Sequence, residues 1–187
     1  MRKSILSIFV GCFIVALAPG FSILAQTESL APYVPTPQDV VEKMLELAGV
    51  TSNDVVYDLG CGDGRIVITA AKKYGAHGVG IDISPDRIQE SIANAKAAGV
   101  ENLVTFKLGD VMKEDVSAAT VVTLYLLTSS NLALRPMLTK QLKPGARIVS
   151  HSFGMGDWEP KKTETLRLNS GWDRKLYLWI ADGEVRP

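Results

Sequence analysis

The residues best suited to chemistry stand together in the run VVYDLGCGDGR, residues 55–65. An apolar stretch ends on Asp58, glycines follow at Gly60, Gly62 and Gly64, and a second carboxylate, Asp63, sits inside the glycine series. A strand that passes into a glycine-rich bend opening a helix lets backbone approach a ligand more closely than a Cβ would allow. Dinucleotide sites space their glycines G-x-G-x-x-G and hold a pyrophosphate on the helix N-terminus. Here the spacing is G-x-G-x-G, and Asp58 and Asp63 would repel a pyrophosphate. The same two carboxylates suit a ligand that carries an ammonium and a sulfonium, which is S-adenosylmethionine.

Two further acidic residues end apolar segments downstream. Asp82 lies at the interval from the glycines where a carboxylate accepts from both ribose hydroxyls. Ser84 and Pro85 already supply a cap for the helix that follows, so Asp82 is not needed for that. Ile83 is expected to pack on the adenine face. Asp110 follows Gly109, placed to accept from the adenine amino group while the Val111 N–H meets a ring nitrogen. The N–H groups of residues 60–64 and the helix dipole are expected to receive the methionine carboxylate, with Asp58 facing the α-ammonium.

The segment D-L-G-C-G-D-G-R at residues 58–65 resembles the first motif of the class I (seven-β-strand) S-adenosylmethionine-dependent methyltransferases. Further segments are P-Y-V-P-T-P at 32–37, D-G-R-I-V-I at 63–68 and H-S-F-G-M-G-D-W-E-P at 151–160. Together they resemble the lysine methyltransferases whose mitochondrial members modify the ATP synthase c subunit and the adenine nucleotide translocase. The resemblance implies a protein substrate with a lysine acceptor, and it implies that Tyr33 and Thr36 close over the methionine end of the cofactor. From spacing alone Tyr33 is a linker tyrosine and Thr36 a helix N-cap.

On the acceptor side, V-V-T-L-Y-L-L at 121–127 puts Tyr125 near the end of a strand, either as the acceptor-binding residue or as core packing. The Asn/Asp-Pro-Pro-Tyr/Phe signature of enzymes acting on bases or glutamine is absent there. His151 either accepts a proton or packs. A lysine acceptor must lose a proton before it attacks, which from its reference pKa costs about 5 kcal/mol at pH 7. Apolar walls lower that cost by disfavouring the ammonium, and Leu124, Tyr125, Leu126, Phe153, Met155 and Trp158 are available. Asp157 and Trp158 either shape an acceptor channel or, for the tryptophan, fill the core.

Positioning these residues falls to alternating strand-like and helix-like segments. Strands are predicted near 55–58, 78–82, 103–108, 120–126, 146–153, 163–169 and 175–181, with helices near 64–74, 85–98 and 130–142 between them. A further helix, capped by Thr36 with Pro37 at its first position, precedes them and stops at Gly49. The fold class is α/β, a doubly wound, mostly parallel seven-stranded sheet, closed by a C-terminal antiparallel hairpin turning at 169–171.

Composition narrows the function. Lysine plus arginine equals aspartate plus glutamate at 20 each, so no global basic field collects nucleic acid. Neither Cys12 and Cys61 nor His77 and His151 are spaced for a disulfide framework or a metal site. Arg2 and Lys3 precede an apolar stretch over residues 5–25, read either as a signal peptide or as a membrane anchor. Both readings make the protein membrane-associated or exported. The domain layout is then 1–25 signal or anchor, 26–36 linker and 37–187 methyltransferase domain. A small-molecule methyltransferase of the same class, a non-catalytic cofactor-binding module and a dehydrogenase are the competing readings.

Overall fold

The computed structural model describes residues 30–167 and 173–187. Seven strands form one sheet: β1 (Val55–Leu59), β2 (His77–Asp82), β3 (Val104–Leu108), β4 (Val121–Leu124), β5 (Arg147–His151), β6 (Lys162–Arg167) and β7 (Asp173–Ile180). Their spatial order is β3-β2-β1-β4-β5-β7-β6, parallel from β3 to β5 and antiparallel across β5-β7-β6. The strand order reverses at β1, with β2 and β3 added on one side and β4 and β5 on the other. The carboxyl ends of β1 and β4 thus meet at the switch point where such sheets bind ligands. The turn joining β6 to β7 lies outside the described residues.

The helices are α1 (Gln38–Ala48), α2 (Arg65–Tyr74), α3 (Pro85–Ala98) and α4 (Thr128–Gln141). Alternation along β1 shows how both faces are covered. Val56 packs with α1 and α2 residues such as Val40, Met44 and Val67, while Tyr57 and Leu59 pack with Leu134 and Leu138 of α4. Helices α1 to α3 stop at Gly49, Gly75 and Gly99, each left-handed and each turning its N–H back to the last turn. Ser84 caps α3 through a bond from the Arg87 N–H, as its sequence signature predicts.

Local departures from the sequence reading have identifiable causes. Helix α1 begins at Gln38 with Pro37 in the capping position, and no side chain caps it. Thr36 is therefore not the N-cap; its carbonyl accepts from Arg65 Nη1 at 2.8 Å. Strand β5 ends at His151 because Ser152 turns into the left-handed region, φ 66°, and the Phe153 N–H bonds back to the His151 carbonyl. Helix α4 starts two residues early and carries Pro136 inside it.

The expectation of a membrane-associated or exported protein is corrected. Among the described residues no helix is long and apolar enough to cross a membrane. The segment behind that expectation, residues 1–25, and Cys12 with it, lies outside the described residues.

An ion pair fastens the lower rim of the sheet. Asp54, just before β1, is buried and receives the Arg147 guanidinium, the Thr120 hydroxyl and the Thr51 N–H. Arg147 also donates to the carbonyls of Ala48 and Gly49 at the end of α1. Burial alone would raise the Asp54 carboxyl, and these donors more than reverse it. Arg147→Met is expected to lower stability by about 3 kcal/mol, because it strands a buried carboxylate. Chemical denaturation of the variant measures the loss, and an unchanged midpoint would show that the pair contributes nothing.

Candidate functional site

At the carboxyl ends of β1, β2 and β4 lies a cavity. Its floor is the bend between β1 and α2, and one wall is the extended segment from Leu30 to Thr36. Of the residues predicted for the cofactor, Tyr33, Thr36, Asp58, Gly60, Gly62, Asp82, Ile83, Asp110 and Val111 all line it, and so does Tyr125. Gly64 does not. It caps α2 with φ 79°, and a Cβ there would stand 2.7 Å from the Phe106 ring, so this glycine serves close packing of helix on sheet.

Asp58 is the most heavily constrained group. It is buried, pairs in register with Thr123 of β4, and accepts one hydrogen bond from the Thr123 hydroxyl at 2.7 Å. Among the described residues no cation lies within ion-pair distance of it. Burial pushes its carboxyl up to about 7, the Thr123 bond opposes that rise, and the nearby carboxylates of Asp82 and Asp63 add to it. Asp82 is braced instead by backbone, its two oxygens receiving the Gly62 N–H at 2.8 Å and the Ser84 N–H at 2.9 Å. Asp63 is neutralised by Arg65, whose Nε lies 2.9 and 3.0 Å from its two oxygens. Burial would raise the Asp63 carboxyl, and Arg65 overrides it.

The glycine bend differs from the expectation that its amides receive a carboxylate. Gly60 and Cys61 donate to the Ile81 carbonyl, Gly62 to Asp82, and Gly64 to the Cys61 carbonyl. Four of the five N–H groups of residues 60–64 are thus occupied within the fold, so the bend presents a shaped surface of low bulk with few open donors. At Gly62, φ 54°, a Cβ would fall 2.5 Å from the Tyr33 ring, which lies directly over it. The Arg87 guanidinium covers the same ring at 4.5 Å from its centroid.

Asp110 caps a short 3-10 turn (Val111–Lys113) through the Met112 N–H and pairs with Lys113 at 3.1 Å. Those bonds hold its carboxyl below the usual range. Beyond the strand end, Tyr125 stacks on His151, centroids 3.9 Å apart, with Phe153 at 6.3 Å. His151 is buried, neither ring nitrogen has a partner, and desolvation pushes the imidazole down to about 4, with Arg174 adding to the shift.

Of the other anticipated acceptor walls, only Tyr125 and Leu126 line the cavity. Leu124 and Met155 are core residues. Trp158 packs on Trp179, accepts the Trp179 indole N–H on its backbone carbonyl, and lies under the Arg186 guanidinium. Asp157 pairs with Arg135. The channel expected from Asp157 and Trp158 is thus a tie for the C-terminal segment. Sequence reasoning missed Thr123, Arg65 and Arg87. A lone threonine in the apolar run of β4 was a usable signal for the first, and Arg65 stands two residues from its partner Asp63; Arg87 acts across the fold and left none.

Three comparisons bear on this geometry. The family model described as the ANTKMT methyltransferase domain matches residues 58–162. A protein-lysine N-methyltransferase of Saccharolobus islandicus (strain REY15A) is 48% identical over 151 residues, covering 80% of this chain and 92% of that protein. The adenine nucleotide translocase lysine N-methyltransferase of Mus musculus is 31% identical over 166 residues, 89% of this chain and 69% of that protein. A crystal structure of an RNA methyltransferase from Salinibacter ruber in complex with S-adenosyl-L-homocysteine superposes with TM-score 0.76 at 53% identity, covering 82% of this chain and 97% of that one.

Asp58 makes ligand-free stability depend on pH. Its carboxyl stands near 7 when folded against an ordinary value of about 4 when unfolded, so between those values the folded state binds the proton more tightly. Its contribution is present at low pH and is lost as pH rises through about 7, amounting to a few kcal/mol. Asp54 and Asp63, held low, act only below about pH 4. His151, pushed down, gives an opposite slope from about 4 to 6.5. In urea denaturation the stability of the wild type relative to Asp58→Asn, which keeps the His151 slope, should fall by a few kcal/mol between about pH 4 and about pH 7 and level off above that; a difference that stays constant over that range would show that Asp58 is not raised.

Proposed function

We propose a protein-lysine acceptor for this chain, which belongs to the ANTKMT methyltransferase domain family and is an S-adenosylmethionine-dependent methyltransferase. S-adenosylmethionine brings a methyl group already activated on a sulfonium, so the protein's task is alignment and exclusion of water. The residues fit such a ligand: Asp58, a buried carboxylate without a cation, is assigned to the α-ammonium. Asp82, braced with lone pairs toward the cavity, is assigned to the ribose hydroxyls. Ile83, Asp110 and Val111 flank the adenine, Gly60 and Gly62 give room for close approach, and Tyr33 and Thr36 cover the methionine end. Gly64 acts by holding α2 in place.

The observation that carries the lysine reading is that the three segments assigned to the acceptor side contain no charged residue. Residues 30–38, 120–134 and 148–156 contain no aspartate, glutamate, lysine or arginine. They supply the Leu30–Thr36 wall, the Tyr125–Leu126 wall and the turn that carries Phe153. These largely apolar segments, with the Arg87 guanidinium over the Tyr33 ring, favour the neutral amine over the ammonium and so lower the cost of deprotonation to solvent. The names of the Saccharolobus and mouse relatives support the same acceptor.

An RNA acceptor is the second reading, favoured by the Salinibacter relative. Binding RNA backbone relies on lysine and arginine, which these three segments lack. Incubation with methyl-tritiated S-adenosylmethionine and separated protein, RNA and small-molecule fractions decides the matter. Label on a lysine side chain, located by peptide mass spectrometry, is the expected result; label confined to RNA or to small molecules would overturn it.

Asp82→Ala removes the ribose-facing carboxylate and the brace on the glycine bend together. Titration calorimetry should find cofactor affinity reduced at least about 100-fold, with the circular dichroism spectrum unchanged. Affinity equal to wild type would remove Asp82 from the assigned site.

A further inference from the structure

His151 is a buried imidazole whose two nitrogens have no hydrogen-bond partner among the described residues. Hydrogen bonds therefore do not fix its ring. What meets its face is Tyr125, stacked at 3.9 Å and inclined by 26°. The backbone that delivers it is unusual. Ser152, the next residue, has φ 66°, and the Phe153 N–H closes a three-residue turn onto the His151 carbonyl at 2.9 Å. A non-glycine residue in this conformation is strained, and such strain persists only where its surroundings impose it.

The imposing group is Asn131 of α4. Its amide nitrogen donates to the Phe153 and Gly154 carbonyls at 3.1 and 3.3 Å, and to the Ser150 hydroxyl at 3.1 Å. Ser150 in turn donates to the Phe153 carbonyl at 2.7 Å. The result is a pinned turn that presents two rings, His151 and Phe153, to one tyrosine. Tyr125 is the member of this group that lines the cavity.

We propose that His151 is a positioning residue that sets the angle of the Tyr125 ring, and through it the line of approach of the methyl acceptor. The proposal deepens the acceptor reading above and rests on it. Only the ring of His151 is used, so a phenyl ring should replace it. His151 exchanges no proton and touches neither cofactor nor acceptor.

The test is a double-mutant cycle on His151 and Tyr125, assayed by methyl transfer to whichever acceptor the wild type labels. His151→Ala should lower kcat/KM for the acceptor about 10- to 100-fold, the scale of a small misplacement, and leave calorimetric affinity for S-adenosylmethionine within about twofold. In a Tyr125→Ala background the same change should cost almost nothing. His151→Phe should restore the acceptor rate and raise the Tm, since it keeps the stack and removes two unpaired buried nitrogens. Independently of any acceptor, the Tyr125 ring resonances, shifted by the stacked imidazole, should relax toward ordinary positions in His151→Ala and remain shifted in His151→Phe. Additive effects in the cycle, or a His151→Phe variant as impaired as His151→Ala, would overturn the positioning role. Failure to find a labelled lysine would count against the lysine acceptor alone, because the cycle and the resonances are read without assuming one.

Discussion

The site is organised by a buried carboxyl that has no cation beside it among the described residues. Asp58 sits at the end of β1 with one hydroxyl donor, Thr123, while Asp82 and Asp63 raise the local negative potential. An isolated carboxylate in a poorly solvated position is held at a cost, and the group responds by gripping its proton. A ligand with fixed positive charge relieves that cost, and a phosphate would increase it. The preference is built into the topology, because the order β2-β1-β4 brings Asp82, Asp58 and Thr123 to the same edge of the sheet.

The glycine bend gains a different meaning from this. Phosphate-binding loops work through open N–H groups, but here Gly60, Cys61, Gly62 and Gly64 spend theirs on Ile81, Asp82 and Cys61. Low bulk is what these glycines contribute, and the clearest case is Gly62, where the Tyr33 ring occupies the place of a side chain. Arg65 joins the bend to the covering segment by holding Asp63 and the Thr36 carbonyl at once. A movement of residues 30–36 is thereby coupled to the floor of the cavity.

The succession of strands, the three interior helices and the acidic part of the cavity lining were legible because each is written in local pattern. Buried strands read as apolar runs, helix ends as glycines, and the acidic residues as carboxylates closing the apolar runs of β1 and β2. What escaped was set by contacts distant in sequence. Nothing near Trp158 tells that Arg186 will lie over it, and nothing near Asp157 names Arg135. The left-handed Ser152 was also hidden, since its conformation is imposed from α4 by Asn131 and not by its own side chain. Thr36 was misread for a related reason: it fits a cap signature, but Pro37 occupies the capping position and the Thr36 carbonyl was already engaged by Arg65.

Two opposed electrostatic demands meet along β4. Thr123 points to the acidic end, where positive charge is stabilised; Tyr125, two residues on, belongs to the uncharged end, where positive charge is disfavoured. Tyr125 follows Leu124, the last residue of β4, so one short segment serves both regions with little separation between them. For an amine acceptor this arrangement has a direct consequence. An apolar surface penalises an ammonium unless it sheds its proton, whereas the sulfonium of the cofactor carries its charge permanently. Under the proposed lysine acceptor, the apolar side of the cleft would then favour the neutral amine, the form able to attack the methyl group.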